Sequence, residues 1–145
     1  MRKVTQPDEA EAVVNGPSVL VVDDSPHTAK ALAALLRSAN FHPMVFYNGE
    51  TALEAVKNTV PTAAVIDIHL PDINGLILSQ KLRDLMGPEK PIIILSGDTS
   101  MTTLKSLPHV GATYFFSKPV NGAQLIDRLR QWVAPVTSDG QASSA

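Results

Sequence analysis

The sequence predicts an α/β fold, a doubly wound five-stranded parallel sheet with helices on both faces. Short runs of apolar residues alternate with amphipathic stretches through most of the chain. Within each run nearly every position is apolar, which is typical of strands buried on both faces rather than on one. Because crossovers between parallel strands are right-handed, the connecting helices then pack on both faces of the sheet.

The apolar runs and the stretches between them give the predicted order of elements. The predicted strands are 19–22, 44–46, 63–68, 92–95 and 113–116. The predicted helices, most of which end at Gly, Pro or Asn, are 28–39, 50–57, 75–85, 100–107 and 123–133. Both ends of the chain are polar and lack periodicity. We therefore expect a flexible N-terminal extension over 1–16, a folded domain over 17–134, and a flexible tail or linker start over 135–145.

Composition excludes several classes of function. The chain of 145 residues has no cysteine, so disulfides, thiolate metal sites and cysteine nucleophiles are excluded. Its formal net charge is -2 and its Lys and Arg residues do not cluster, so we expect no direct nucleic-acid binding. No apolar run approaches the roughly 20 residues of a membrane span, and the N-terminus lacks the apolar segment of a signal peptide. The sequence thus predicts a cytoplasmic protein without membrane contact.

Polar residues that suit phosphoryl transfer follow four of the predicted strands. In a doubly wound sheet, ligands bind at the carboxyl ends of the strands, near the switch in strand order. Asp23 and Asp24 end the first run, Asp67 the third, Ser96 the fourth and Lys118 the fifth. Carboxylates are ligands that Mg²⁺ prefers, and a carboxylate can attack phosphorus to give an aspartyl phosphate. A lysine and a hydroxyl stabilise the charge on the transferring group.

Taken singly, each of these residues has an ordinary structural explanation. An Asp after a strand is usually a turn former or a helix N-cap, a Ser there is mostly a turn residue, and a single Lys is mostly a solvated charge. Their common position at the ends of four strands is what predicts a phosphoryl-transfer site.

Four segments, in order and at matching separations, resemble the response-regulator receiver family. They are VLVVDDS (19–25), AVIDIHLPDING (64–75), PIIILSG (91–97) and GATYFFSKP (111–119). The resemblance implies the (βα)5 flavodoxin-like receiver fold and a phosphorylation-controlled signalling switch rather than a turnover enzyme. It also implies that the phosphoryl donor is a sensor histidine kinase or a histidine phosphotransfer protein.

By the same resemblance, Asp67 is the phosphoacceptor beside a bound Mg²⁺ (or Mn²⁺). Asp24 and Asp67 would bind the metal directly, Asp23 would hold metal-bound water, and the backbone carbonyl of His69 would be a further ligand. Ser96 and Lys118 would contact phosphoryl oxygens, and the Lys118–Pro119 bond would be cis, aiming the lysine at the acceptor.

The resemblance also implies a switch and a pair of residues that set the phosphoryl lifetime. Ser96 would move toward the phosphoryl group and Phe115 would turn inward behind it. His69 and Asp98, each two residues beyond a site residue, would alter the dephosphorylation rate. Measuring that rate for variants at both positions would test this expectation. The face formed by the fourth helix, fifth strand and fifth helix would then bind an effector or a second copy; it would include Met101, Leu104, Phe115 and Arg128.

Three further expectations concern single residues and other functions. Asn74, where many relatives have Asp, should cap the third helix equally well, and His27 could lie near the phosphoryl donor. The alternative function is a phosphatase of the aspartyl-phosphate kind on a similar fold. Such enzymes typically place a second Asp two residues after the nucleophile, where this chain has His69. A nucleotide-binding domain would need a glycine-rich turn after the first strand, which the sequence does not have.

Overall fold

The predicted fold class is confirmed by a computed structural model, which describes residues 16–97 and 112–133. In these ranges the chain forms a parallel five-stranded sheet with the strand order β2-β1-β3-β4-β5. The elements, in chain order, are β1 (Ser18–Val22), α1 (Pro26–Ser38), β2 (His42–Phe46), α2 (Gly49–Asn58), β3 (Ala63–Asp67), α3 (Gly75–Met86), β4 (Ile92–Ser96), β5 (Tyr114–Ser117) and a C-terminal helix (Gly122–Trp132).

Some predicted features lie outside the described residues. They are the fourth helix at 100–107 with Met101 and Leu104, the residue Asp98, the tail at 135–145 and nearly all of the extension at 1–16. Those expectations stay predictions. Among the described helices, none has both the length and the apolar character needed to cross a membrane.

Each face of the sheet has its own apolar core, which explains why the strand runs are apolar at every position. On one face, Val21 and Val65 pack with Leu36 of α1 and Leu129 of the C-terminal helix. On the other face, the alternate strand residues such as Ile66 pack with residues of α2 and α3. Successive side chains of a strand point to opposite faces, so both sets must be apolar when helices cover both sides.

The described helices begin after a Ser or an Asn whose side-chain oxygen accepts a hydrogen bond from a backbone N–H of the first turn. The pairs are Ser25 with Thr28, Asn48 with Thr51, Asn74 with Leu76, and Asn121 with Gln124. The predicted cap at Asn74 is therefore confirmed. The predicted start of α1 is two residues late, because Pro26 stands at the first helical position, where its fixed φ and missing N–H are tolerated.

β2 begins earlier than predicted because it is an edge strand. The predicted strand begins at residue 44 and leaves out Pro43, a residue type that sheets contain mainly on edge strands. In the structure Pro43 is a strand residue and pairs with Val19 of β1. The described sheet has no further strand beyond β2, so the missing N–H of proline is tolerated there.

The turn from β3 into α3 fits only glycine at its last residue, Gly75. The Gly75 N–H donates to the Ile68 carbonyl at 2.8 Å. A Cβ atom on Gly75 would collide with the Asp67 carbonyl oxygen and would lie 2.6 Å from Ile68 Cα. These neighbours are backbone atoms and cannot rotate away, so the turn holds Asp67 and the loop after it in a fixed relation to α3.

We expect Gly75→Ala to lower the free energy of unfolding by about 2 kcal/mol. Alanine gains up to about 1 kcal/mol in helix propensity, but overpacking against rigid neighbours costs roughly 1–3 kcal/mol, and the backbone must also shift. Urea unfolding measures the change. Gly122→Ala is the matched control, because Gly122 also follows an Asn cap but its Cβ would lie 3.2 Å from the flexible Leu35 side chain. Equal or higher stability of Gly75→Ala than of wild type would contradict the steric argument.

Candidate functional site

Three carboxylates meet at the carboxyl edge of the sheet. Asp23 and Asp24 directly follow β1, and Asp67 ends β3, the neighbouring strand. One carboxylate oxygen from each lies within 4.8 Å of the other two. This edge lies where the chain crosses from β2, on one side of β1, to β3 on the other, which is the switch point at which such sheets bind ligands. The predicted juxtaposition of the three residues is therefore present.

Asp23 is the most buried of the three, with 1% of its surface exposed. Its Oδ1 accepts a hydrogen bond from the Ser25 N–H at 2.9 Å, and its Oδ2 from Lys118 Nζ at 3.5 Å. Burial raises the pKa of Asp23 above its ordinary value, and the charge of Asp67 raises it further, against the lowering effect of Ser25 and Lys118. A cation beside Asp23 would favour its charged form.

Lys118 reaches the acidic cluster from the end of β5. Its Nζ lies 3.4 Å from Asp67 Oδ1 and 3.5 Å from Asp23 Oδ2. The Lys118–Pro119 peptide bond is cis, so the expected cis bond and the expected direction of the lysine are both confirmed. The Lys118 N–H also donates to the Ser96 carbonyl at 2.9 Å, which joins the ends of β4 and β5.

Ser96 lies at the end of β4, the strand next to that of Asp67, and Phe115 lies on β5, which pairs with β4. Ser96 is fully buried and follows Leu95, the residue paired with Asp67 across β3 and β4. Phe115 is half-buried, pairs with Ile94 and packs against the core on the α2 and α3 side. The geometry places Ser96 at the expected strand end and Phe115 one strand further out. Their roles in switching stay predictions.

The loop that follows Asp67, residues 68–75, is bonded to the Asp67 side chain. The His69 N–H donates to Asp67 Oδ1 at 3.3 Å, and His69 forms an antiparallel bridge with Asn74. The His69 side chain is exposed. Its backbone N–H is thus in contact with the Asp67 carboxylate, whereas a metal-ligand role was expected of its carbonyl. That ligand role stays a prediction.

Asp72 of this loop has a structural role that the sequence analysis did not assign. Its Oδ1 accepts from the Gly49 N–H at 2.9 Å and its Oδ2 from the Glu50 N–H at 2.8 Å. These hydrogen bonds lower the pKa of Asp72 below its ordinary value, and the bond from Gly49 has the largest effect. The partners precede Asp72 by more than 20 residues, and no local pattern relates them. The only signal was the Asn48-Gly49 pair that begins α2.

An apolar groove of about 550 Å³ opens beside Lys118, between α1 and the loop after β5. The residues that line it are His27, Thr28, Ala31, Leu32, Leu35, Lys118, Pro119, Val120 and Gly122. His27, which from the sequence could lie near the phosphoryl donor, is in the wall of a groove that also includes Lys118 of the acidic site.

The site residues fit a hard divalent cation. Oxygen atoms of carboxylates are the ligands that Mg²⁺ selects. When all four groups are ionised, Asp23, Asp24 and Asp67 together with Lys118 have two net negative charges, which one divalent ion balances. Each of the three carboxylates has an oxygen within 4.8 Å of the other two, and Mg²⁺ usually keeps several waters, so one ion could be held by a mixture of direct and water-mediated contacts.

Comparison with known proteins gives the same family. The family model described as the response regulator receiver domain matches residues 19–130. The sensory/regulatory protein RpfC of Xanthomonas campestris is 31% identical over 144 residues, which cover 92% of this chain and 20% of RpfC. The regulatory protein VanR of Enterococcus faecium is 33% identical over 113 residues, 77% of this chain and 48% of VanR.

A solved structure agrees with these relatives. The BeF3-activated N-terminal receiver domain of RstA from Klebsiella pneumoniae superposes with a TM-score of 0.73 at 27% identity, covering 79% of this chain and 97% of that one. The chain spans about a fifth of RpfC and about half of VanR, so the activities of those whole proteins do not transfer to it. The matched span, the fold and the strand-end residues together show that the chain belongs to the response regulator receiver domain family of two-component signalling.

Proposed function

We propose that this domain is a signalling switch that accepts a phosphoryl group on Asp67, with Mg²⁺ bound beside it. The observation that supports this most directly is the surroundings of the Asp67 carboxylate. An ammonium lies 3.4 Å from it, and two further carboxylates lie within 4.8 Å. Phosphoryl transfer needs this combination of an oxygen nucleophile, a cation and metal ligands.

In the proposed metal site, Asp24 and Asp67 bind Mg²⁺ (or Mn²⁺) directly, Asp23 binds through water and His69 contributes its backbone carbonyl. The exposed Asp24 and the buried Asp23 suit these two modes, since Mg²⁺ usually keeps several waters. When bound, the ion neutralises charge on the transferring phosphoryl group.

In the proposed reaction, an Asp67 carboxylate oxygen forms a bond to phosphorus. The bond from phosphorus to the donor's imidazole nitrogen breaks, and its electron pair stays on that nitrogen. The Lys118 ammonium pairs with one phosphoryl oxygen and the Ser96 hydroxyl donates to another. The His69 N–H, bonded to Asp67 Oδ1, keeps the carboxylate oriented. By the family resemblance His69 and Asp98, the latter outside the described residues, would set the rate of hydrolysis, so variants at either position should change the measured decay of the phosphorylated form.

Asp67→Asn should abolish phosphorylation, because an amide oxygen is a poor nucleophile. Intact-mass measurement after treatment with acetyl phosphate and Mg²⁺ should show one added phosphoryl group on wild type, and none when Mg²⁺ is removed with chelator. Asp127→Asn, at an exposed position of the C-terminal helix, is the matched control and should be labelled fully. Full labelling of Asp67→Asn would refute the assignment of Asp67 as the phosphoacceptor. Release of phosphate by wild type without accumulation of the phosphorylated form would indicate the phosphatase instead.

We propose that the phosphoryl donor, a sensor histidine kinase or a histidine phosphotransfer protein, docks on the apolar groove beside Lys118. The groove adjoins the acceptor, because Lys118 both lines it and contacts Asp67. A protein that presents a phosphohistidine at Asp67 would bury the apolar wall formed by Ala31, Leu35 and Val120.

Ala31→Glu should slow phosphotransfer from the donor at least tenfold, because it would place an unpaired charge in a desolvated interface. Ala34→Glu is the matched control, since Ala34 is an exposed residue of the same helix that does not line the groove. The rates are measured with the kinase of the source organism that phosphorylates wild type fastest. Acetyl phosphate, which needs no docking surface, should label both variants like wild type. Equal transfer rates for the two variants would rule out docking at this groove.

We further propose that phosphorylation changes the face formed by the fourth helix, β5 and the C-terminal helix, and that an effector or a second copy of the chain binds there. On this face Tyr114 of β5 packs against Trp132, with ring centroids 5.5 Å apart, and Arg128 lies over the Tyr114 ring at 4.9 Å. Phe115 is the next residue of the strand and packs on the opposite face of the sheet, so a change of its rotamer would reach this aromatic cluster through the backbone of β5.

Because the chain has one tryptophan, Trp132 fluorescence reports on this face. Beryllofluoride with Mg²⁺ should change the fluorescence of wild type and the amide exchange of residues 112–117. Asp67→Asn, which cannot hold the mimic, should show neither change. Binding of beryllofluoride detected by ¹⁹F NMR, with both signals from this face unchanged, would show that the coupling is absent.

A further inference from the structure

Asp72 joins the loop that follows Asp67 to the start of a helix that belongs to another part of the chain. Its two carboxylate oxygens accept from the Gly49 and Glu50 N–H groups at 2.9 and 2.8 Å. An exposed Asp normally points to water, but this one binds the first two N–H groups of α2. The third, that of Thr51, is bound by the helix's own cap, Asn48, at 2.9 Å. The helix N-terminus therefore has two separate caps, one of which comes from the loop.

The loop also packs against α2. Gly49 is the first residue of α2 and has no side chain; a Cβ atom there would collide with Cγ2 of Ile73. Ile73 is half-buried and packs against the core on this face of the sheet. Contact between Ile73 and Gly49 brings the Asp72 backbone close enough for its carboxylate to reach both N–H groups. Anions are favoured at this position by the partial positive charge of a helix N-terminus.

The other end of the same loop is bonded to the phosphorylation site. The His69 N–H donates to Asp67 Oδ1, His69 bridges to Asn74, and the Gly75 N–H donates to the Ile68 carbonyl. The loop is therefore closed at its base beside the acceptor and held at its tip by Asp72. His69 makes the attachment beside Asp67, and Asp72, three residues further on, makes the attachment to α2.

We propose that Asp72 is a positioning residue of the phosphorylation site: it fixes the backbone at His69 by holding the loop on α2, and so sets the affinity of the acidic cluster for Mg²⁺. This inference rests on the proposed metal site. Without Asp72 the loop keeps its base but loses the charged bonds at its tip, so the His69 carbonyl spends less time in a binding orientation. Residues that orient metal ligands typically change affinity by 10- to 100-fold. We expect roughly tenfold weaker binding, since His69 is one ligand of several.

The test is a titration of wild type and three variants with MgCl₂ alone. Binding is measured from the NMR shifts of the Asp67 and His69 amides. Asp72→Ala should raise the Mg²⁺ dissociation constant about tenfold. Asp72→Asn keeps the shape of the side chain and one acceptor oxygen, so it should give an intermediate value. Asn48→Ala is the matched control: it removes a cap from the same helix end but leaves the loop attached, so Mg²⁺ binding should stay within twofold of wild type. Urea unfolding of each variant reports the loss of helix stability separately.

Two outcomes would overturn this inference but leave the proposed metal site intact. One is Mg²⁺ binding by Asp72→Ala within twofold of wild type, and the other is equally weakened Mg²⁺ binding by Asn48→Ala. If wild type itself failed to bind Mg²⁺, the proposed metal site would be wrong and this inference with it. Intermediate affinity of Asp72→Asn and normal affinity of Asn48→Ala would support positioning through the loop over a general effect of helix stability.

Discussion

Two almost fully buried carboxylates, Asp23 and Asp67, end adjacent parallel strands and must share one edge of the sheet. Like charges at this distance repel, and burial removes most of the water that would weaken the repulsion. The Lys118 ammonium lies within 3.5 Å of both, so the arrangement depends on a cation supplied from the end of β5. The strand order meets this requirement, because β5 ends on the same edge, two strands away from β3.

The two apolar cores stabilise the fold, and the acidic site does not. Every strand residue of β3 before Asp67 is buried and apolar, and the two cores on either face contain most of the large side chains. The site departs from this pattern: it buries more negative than positive charge, and burial raises the pKa of Asp23. Local violations of the rules for a stable fold are typical of functional sites, where they are offset by packing in the rest of the domain. A bound divalent ion would relieve this excess of charge, which agrees with the proposed function.

The sequence was sufficient for features that depend on local patterns. Continuous apolar runs predicted strands buried on both faces, and the residues after them predicted which side chains meet at the carboxyl edge. Asn74 was predicted as a cap from its place before α3, and it caps that helix. The predicted start of α1 was two residues late, since Pro26 occupies the first helical position, where proline is favoured.

Features that depend on packing between distant segments were not predictable in this way. Pro43 lies within β2 only because β2 is at the edge of the sheet, and strand order is not visible in a local run of residues. Asp72 binds α2 only because the loop after β3 packs on Gly49. In both cases the residue type was informative, but its partner was set by the tertiary fold.

The bond from the Lys118 N–H to the Ser96 carbonyl makes the ends of β4 and β5 one unit. This bond therefore couples the backbones of the two residues proposed to contact the phosphoryl group. In the described sheet β5 is the edge strand on this side and pairs only with β4, so a shift of its end disturbs fewer ladder bonds than a shift of β1 or β3. Side chains of β5 alternate between the two cores, with Phe115 on one face and Tyr114 on the other. A displacement that begins at Lys118 would thus reach both faces of the sheet through a single strand, while the paired strands that position the acidic cluster stay in place.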